Sequence, residues 1–307
     1  MLVLTYSSIN TFRNCHKRYY YAYDQCWKPK KDPWPFIDGS AVHLALEWYY
    51  DPKFKDALPE ESRNNYIIEE VVKDYDRRTE YEEHDREFHK NLFISLFKGY
   101  TIAYPPNEFE EYIPEVKFSF EIENTDLPEK KFILAGKTDA KIKQNGSPYL
   151  FETKTTSAYS IKDFLARLRL DNQPDTYLYG FNTMGFGAVG MLYNVLHKPN
   201  LRQNNFESDD RFFKRIQKEC IDDAHRIPEK RKHYFRETIY RSPHDLNVFQ
   251  EELLQLSDDM AKYYPYKNPA RCADYGGCGF LRVCEGSDIL EELFTRKERQ
   301  HTELEGV

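Results

Sequence analysis

Four groups of polar residues between positions 39 and 177 combine an imidazole, two carboxylates and a lysine. They are His43, Asp139, the triplet Glu152-Thr153-Lys154, and the pair Gln173 and Tyr177. Oxygen ligands of this kind bind Mg²⁺ or Mn²⁺. Such an ion acts as a Lewis acid on a phosphoryl oxygen, and an adjacent ammonium stabilises the negative charge that develops. The group therefore indicates a metal-assisted phosphodiester hydrolysis site.

The local pattern around these residues predicts how they meet. Residues 132–142 and 149–154 read as two strands joined by the strong turn signal Asn145-Gly146. Glu152 and Lys154 are two apart and would leave the same strand face, with Asp139 across the hairpin. Each group alone also has an ordinary interpretation, since an exposed Glu–Lys pair is common on a charged surface.

Taken together, the motifs resemble the RecB-like branch of the PD-(D/E)XK nucleases. They are Gly-x-x-x-His at 39–43, Gly-x-x-Asp at 136–139, Glu-x-Lys at 152–154 and Gln-x-x-x-Tyr at 173–177. The resemblance implies that His43, Asp139 and Glu152 are metal ligands, together with the backbone carbonyl of Thr153. It also implies that Lys154 is catalytic beside the two carboxylates.

Three further residues take their expected roles from the same resemblance. Gln173 and Tyr177 would contact DNA or orient the site, and Glu115 would orient a ligand or a water. The expected fold is an α/β (α+β), restriction-endonuclease-like core, in which a mixed central sheet is flanked by helices.

Six cysteines raise the question of a second metal centre. Cys272, Cys278 and Cys284 follow a C-x5-C-x5-C spacing, which fits neither zinc knuckles nor common ferredoxin patterns. Without an export signal, thiolate ligation is favoured over disulfides, and ordinary reduced thiols are the alternative. The resemblance implies a [4Fe–4S] cluster on these three and Cys15, with Zn²⁺ as the alternative metal. Cys26 and Cys220 are expected not to be ligands.

The remaining periodicity places these residues on elements of a single nuclease domain over 1–307. We predict helices over 7–23, from about 39, over 60–100 as one or two, and over 173–181, 208–224 and 243–264. Further strands are predicted over 116–122, 189–196 and 235–240. The expected parts are an iron–sulfur clasp of 1–38 and 265–290, a helical insertion at 55–105, a catalytic core at 110–200, and a mainly helical segment at 201–264.

Composition constrains the partner weakly. The net charge of −7 argues mildly against nucleic acid, although a narrow basic channel on an acidic body remains compatible with it. The basic residues expected to face DNA are Arg13, Arg18, Arg167 and Arg169. No apolar run reaches membrane-spanning length, so we expect a cytoplasmic protein of a bacterial, archaeal or phage-infected cell.

The predicted activity is metal-dependent exonucleolytic trimming of single-stranded DNA, for which the resemblance favours 5′→3′ polarity. No Walker-type phosphate loop is present, so unwinding would require a helicase partner. The setting would be recombination, repair, phage DNA metabolism or CRISPR adaptation. Two alternatives stay open, namely a structure-specific endonuclease and a non-catalytic iron–sulfur scaffold that binds DNA ends.

Overall fold

The computed structural model describes residues 2–124, 127–273, 277–301 and 304. The helices are α1 Tyr6–Asn14, α2 His16–Tyr19, α3 Trp34–Tyr50, α4 Pro52–Ala57, α5 Glu60–Arg77, α6 Glu83–Ala103, α7 Ile161–Leu168, α8 Asn172–Thr183, α9 Asp209–Ala224, α10 Pro243–Lys262, α11 Leu281–Cys284 and α12 Leu290–Leu293. The strands are β1 Leu2–Leu4, β2 Trp27–Pro29, β3 Glu111–Pro114, β4 Lys117–Asn124, β5 Leu127–Lys137, β6 Ala140–Gln144, β7 Ser147–Thr156, β8 Gly190–His197, β9 Tyr234–Ile239 and β10 Phe294–Arg296.

A mixed five-stranded sheet forms the centre of the fold, in the order β3-β6-β7-β8-β9. Neighbouring strands are antiparallel except β7 and β8, which run parallel and are connected through α7 and α8. A parallel pair requires a crossover of this kind, because its strands enter the sheet from the same end. The predicted mixed sheet flanked by helices is confirmed.

The predicted hairpin is also confirmed. Gln144 of β6 pairs with Ser147 of β7, and the two turn residues Asn145 and Gly146 have φ of 50° and 75°. Positive φ at both positions is typical of the two-residue turn whose twist matches that of paired strands. The turn fixes the register, which brings Ala140 opposite Phe151 at the far end of β6.

The prediction of one continuous strand over 132–142 is wrong. The chain forms β5 in a separate three-stranded sheet, of order β1-β5-β4, and then β6 in the central sheet. At the break, Thr138 turns its hydroxyl to the carbonyl of Phe151 at 2.9 Å. The carbonyl of Asp139 accepts from the N–H of Glu115 at 2.8 Å. The N–H of Thr138 still bonds the carbonyl of Val116 at 3.0 Å, so the paired segments bend at Glu115, which has φ 50°, and pass from one sheet to the other.

The N-terminal helices differ from the prediction in their boundaries. Thr5 and Ser8 form a capping box that starts α1. The helix stops at Asn14, because Cys15 has an extended backbone with φ −163° and ψ 112°. The predicted helix over 7–23 is therefore interrupted at Cys15. The next long helix starts at Trp34 rather than near Gly39, because Pro35 is compatible with the first turn.

Helices cover both faces of the central sheet. Successive residues of its strands alternate between two hydrophobic clusters, so that Phe151 and Leu192 belong to one and Leu150 and Tyr193 to the other. The first cluster is completed by α3, α5, α6 and α9, and the second by α1, α8, α10 and the three-stranded sheet. The helices within 55–105 thus pack into the core beside α3.

The two ends of the chain lie together. The N–H of Lys17 donates to the carbonyl of Tyr266 at 3.0 Å, and Asn268 donates to the carbonyl of Asn14 at 2.8 Å. Strands β2 and β10 pair antiparallel, which extends the junction to Arg296. The described helices include none long and apolar enough to cross a membrane.

The packing of α8 on β4 predicts the effect of a single methyl group. A Cβ at Gly180 would lie 2.3 Å from Cε2 of Phe118, which is buried at 1 % exposure. Replacing Gly180 with Ala should lower the free energy of unfolding by about 1–3 kcal/mol, because the ring has no space to move. Gly39→Ala is the control, since its Cβ would meet Thr155 Oγ1 at 3.6 Å. Denaturant unfolding measures both, and equal stability of the two variants would contradict this close packing.

Candidate active site

Asp139 lies where α3, the β5–β6 break and β7 come together. Its Oδ1 is 2.9 Å from Nδ1 of His43, and its Oδ2 accepts from the N–H of Thr153 at 2.6 Å. Thr153 lies beyond Phe151, the residue that faces the end of β6, so its N–H is free to bond a side chain. The N–H and C=O of one strand residue leave on the same side, so the Thr153 carbonyl lies along the same strand edge.

Glu152 and Lys154 share a strand face, as predicted. Lys154 Nζ is 2.9 Å from Glu152 Oε1, and Gln173 Nε2 donates to the same oxygen at 2.7 Å. Tyr193 in turn donates to Gln173 Oε1 at 3.2 Å. A chain of bonds from β8 through α8 therefore fixes the Glu152 carboxylate.

Gln173 and Tyr177 belong to the interior of the site. Gln173 is 2 % exposed, and Tyr177 is 8 % exposed with its ring against those of Phe118 and Tyr6. Of the two roles expected for this pair, orienting the site agrees with such burial, whereas a direct contact with DNA does not.

The charges of the site act strongly on one another. Burial by itself would raise the pKa of Asp139, but His43 and the Thr153 N–H outweigh it and the pKa is lowered. Burial, and then the Asp139 charge, raise the pKa of Glu152. For His43, burial acts to lower the pKa, and Asp139 overcomes it so that the pKa is raised. Two carboxylates held this close create a site that favours a cation.

The donor set fits a divalent metal ion. Over the described ranges, no three or more His, Cys, Asp or Glu side chains stand in metal-holding geometry, and Asp139 is hydrogen-bonded to His43 and Thr153. However, Glu152 Oε2 is buried and has no hydrogen-bond partner in that part of the chain. A buried carboxylate oxygen without a partner is costly, and a hard cation would satisfy it.

Two acidic residues stand beside the site. Glu115 has φ 50° and forms a 2.5 Å ion pair with Lys137, and it lies between β3 and β4 rather than at the start of a strand. Glu47 follows His43 by one helical turn and was not predicted. Burial, followed by the charge of Glu115, raises the pKa of Glu47. The i, i+4 spacing on one helix is the sequence signal that would have identified it.

The four cysteines expected to act together are neighbours. Cys15, Cys272 and Cys278 line one cavity of about 440 Å³, and the N–H of Cys278 donates to the carbonyl of Cys272 at 2.8 Å. Burial, and then the Cys278 thiol, raise the pKa of Cys284; Lys267 opposes this, and the thiols of Cys15 and Cys272 add to it. The thiols are close, but in the described ranges they do not converge in metal-holding geometry.

The four predicted DNA-facing arginines fall into two pairs. Arg13 is ion-paired with Glu252 at 2.9 Å, and Arg169 with Glu237 at 2.7 Å. Arg18 and Arg167 instead line the cavity that the three cysteines share.

The mixed sheet and its carboxylate–lysine edge define the class of a nuclease with a restriction-endonuclease-like fold. The model of the PD-(D/E)XK nuclease superfamily matches residues 3–285. The chain belongs to this superfamily, whose members generally use divalent metals.

Three solved structures are similar in part. SSO0001 is 17 % identical over 70 % of this chain and 84 % of its own, with a TM-score of 0.34. A protein described as a candidate exonuclease from Eubacterium rectale is 10 % identical over 99 % of this chain and 94 % of its own, with a TM-score of 0.45. VC1899 from Vibrio cholerae is 13 % identical over 79 % of this chain and 61 % of its own, with a TM-score of 0.21. The search of curated proteins returned no match.

The hydrogen bond of the Thr138 hydroxyl at the strand break should make a measurable contribution to the stability of the fold. Thr138 is 1 % exposed and donates to the Phe151 carbonyl, so Thr138→Val should lower the free energy of unfolding by about 1–3 kcal/mol. Thr183→Val is the control, because its hydroxyl is exposed and bonds within α8. Thermal unfolding compares the two variants. If Thr138→Val is no less stable than Thr183→Val, the bond does not hold the break.

Proposed function

We propose that this chain is a Mg²⁺- or Mn²⁺-dependent deoxyribonuclease that removes nucleotides from single-stranded DNA ends. The observation that supports it best is the convergence of four side chains from three separate parts of the sequence. His43 from α3 bonds Asp139 at the strand break, and Lys154 bonds Glu152 on β7. The two pairs are neighbours, because the Thr153 N–H between Glu152 and Lys154 donates to Asp139 and the Asp139 charge raises the pKa of Glu152. Because the chain belongs to a nuclease superfamily, we assign phosphodiester hydrolysis to this group.

The divalent ion would be held by His43, Asp139 and Glu152, with the Thr153 carbonyl as a fourth donor. The buried, unpartnered Oε2 of Glu152 is the oxygen most in need of such a cation. When bound, the ion would supply Lewis-acid polarisation of the scissile phosphodiester.

The chain's own residues supply orientation and charge. Lys154 is partly exposed, so its ammonium can reach a phosphate oxygen and stabilise the charge that develops there. Gln173 would stay bonded to the Glu152 carboxylate while the Lys154 ammonium moves from Glu152 to a phosphate oxygen. Glu152 therefore keeps its position whether or not substrate is present.

We further propose that Cys15, Cys272, Cys278 and Cys284 bind a [4Fe–4S] cluster. The backbone bond from Cys278 to Cys272 and the influence of three thiols on the fourth support this assignment. The cluster's place would be structural, since the segments that carry these cysteines already contact one another through Lys17 and Tyr266. Such a bridge would close a long loop and so stabilise the fold.

The sharpest test of the catalytic assignment is Lys154→Ala. Cleavage of an end-labelled single strand in Mn²⁺ should fall by at least about 100-fold, because one source of transition-state charge stabilisation is removed. Binding of the same strand should persist. Lys131→Ala is the control, since Lys131 lies near the other end of β5, pairs with Glu121 at 2.9 Å and should leave cleavage unchanged. Equal cleavage by Lys154→Ala and the unmutated protein would refute the assignment.

The same assay separates the alternatives. Circular single-stranded DNA should resist an exonuclease, whereas cleavage of the circle would identify an endonuclease. Labels at the 5′ and 3′ ends report polarity, for which we expect 5′→3′. Binding without cleavage by the unmutated protein would instead favour a non-catalytic scaffold.

The cysteine proposal predicts a coloured protein. Anaerobically purified protein should absorb near 400 nm and contain about four irons per chain, as expected for a cluster with four thiolate ligands. Cys278→Ser should lose the absorbance and the iron, whereas Cys220→Ser should keep both, because Cys220 is buried elsewhere. Colourless protein with stoichiometric zinc would replace the cluster with a zinc site.

A further inference from the structure

Two neighbouring cavities share residues of helix α7. The first, of about 440 Å³, lies between α1, α7 and the cysteines, and the second, of about 640 Å³, lies between α7, the end of β7 and Pro35 of α3. Phe164 and Arg167 line both cavities. The two therefore meet along one side of α7, and we call the combined depression the α7 groove.

The groove passes beside the candidate active site. The second cavity is lined by Thr155 and Thr156, which directly follow Lys154 on β7. The first is lined by Asp171, which accepts from the N–H of Gln173 at 2.9 Å. The Gln173 side chain in turn bonds Glu152, so each cavity is lined by a residue that is bonded to, or next in sequence to, a residue that contacts or belongs to the site.

Part of the groove carries positive charge, which would attract the phosphates of a nucleic-acid backbone. Arg18 and Arg167 are exposed, and across the described ranges neither forms an ion pair. Asp171, an acidic residue of the first cavity, accepts from the Tyr6 hydroxyl at 3.0 Å and from the Gln173 N–H. Asp163 lines the second cavity, so phosphates would be held in the first, which both Arg18 and Arg167 line.

The far end of the groove carries an aromatic platform. Tyr159 is 100 % exposed on the loop between β7 and α7 and lines the second cavity. An aromatic ring left wholly in solvent beside a cavity can accept a stacked base, and such stacking tolerates any base sequence. Phe164 places a second, partly buried ring between Tyr159 and the arginines.

We propose that the α7 groove is the path along which single-stranded DNA reaches the active site. Arg18 and Arg167 contact backbone phosphates, and Tyr159 stacks with a base. This assignment rests on the proposed nuclease function, to which it adds the route of the substrate. Under this proposal, Arg18 and Arg167 bind DNA, whereas Arg169 forms an ion pair with Glu237.

The test measures binding of a fluorescein-labelled oligothymidine by Lys154→Ala protein, so that no strand is cleaved. Arg167→Ala should weaken binding and reduce the slope of log affinity against log salt by about 0.7, the value for one lost phosphate contact. Tyr159→Ala should weaken binding about fivefold or more with the slope unchanged, because stacking releases no counterions. Thermal unfolding should be unaltered, since both side chains are exposed.

Matched controls lie outside the groove. Arg211 is an exposed arginine of α9, and Phe206 is 100 % exposed, as Tyr159 is. Arg211→Ala and Phe206→Ala should bind as the parent does. If the groove and control variants bind equally while the unmutated chain still binds and cleaves DNA, the groove is not the path. If the unmutated chain neither binds nor cleaves DNA, the proposed function fails, and the groove proposal fails with it.

Discussion

The structure of the site depends on the two oxygens of one carboxylate. Asp139 bonds the imidazole of His43 through one oxygen and the N–H of Thr153 through the other, so a helix, a strand break and a strand edge meet at a single side chain. The break itself is stabilised by the Thr138 hydroxyl on Phe151. The Asp139 carboxylate then reaches a partner on each side of the break, the helix α3 through His43 and the edge of β7 through Thr153.

Burying the Glu152 carboxylate within reach of the Asp139 charge is unfavourable, and the surrounding fold offsets that cost. Gln173 and Lys154 both bond Glu152, and Tyr193 fixes Gln173 from the neighbouring strand. These donors come from β7, α8 and β8, which the parallel crossover brings together. The hydrophobic clusters on both sheet faces keep those elements in register. Among the described residues, Glu152 Oε2 is one buried oxygen without a hydrogen-bond partner, and a cation there would complete the arrangement.

Local signals predicted much of this fold, and tertiary contacts decided the rest. The hairpin follows from Asn145-Gly146 because the turn type requires positive φ, and α8, β8, α9, β9 and α10 follow from their periodicity. The strand break could not be predicted, because apolar residues occur on both sides of Asp139 and the bonds at the break, to Phe151 and Glu115, are tertiary contacts. The motifs nominated the candidate site residues, but they did not indicate the burial of Gln173. Likewise, the division of the arginines depends on where distant glutamates lie in space.

The account's central claim is that His43, Asp139 and Glu152 share one divalent ion. The most direct measurement is the anomalous difference density of crystals grown with Mn²⁺. One strong peak in contact with the His43 imidazole and both carboxylates, and lost in Asp139→Ala crystals, is the predicted result. Crystals that contain Mn²⁺ but show no peak between these side chains, or show it only at other residues, would contradict the account.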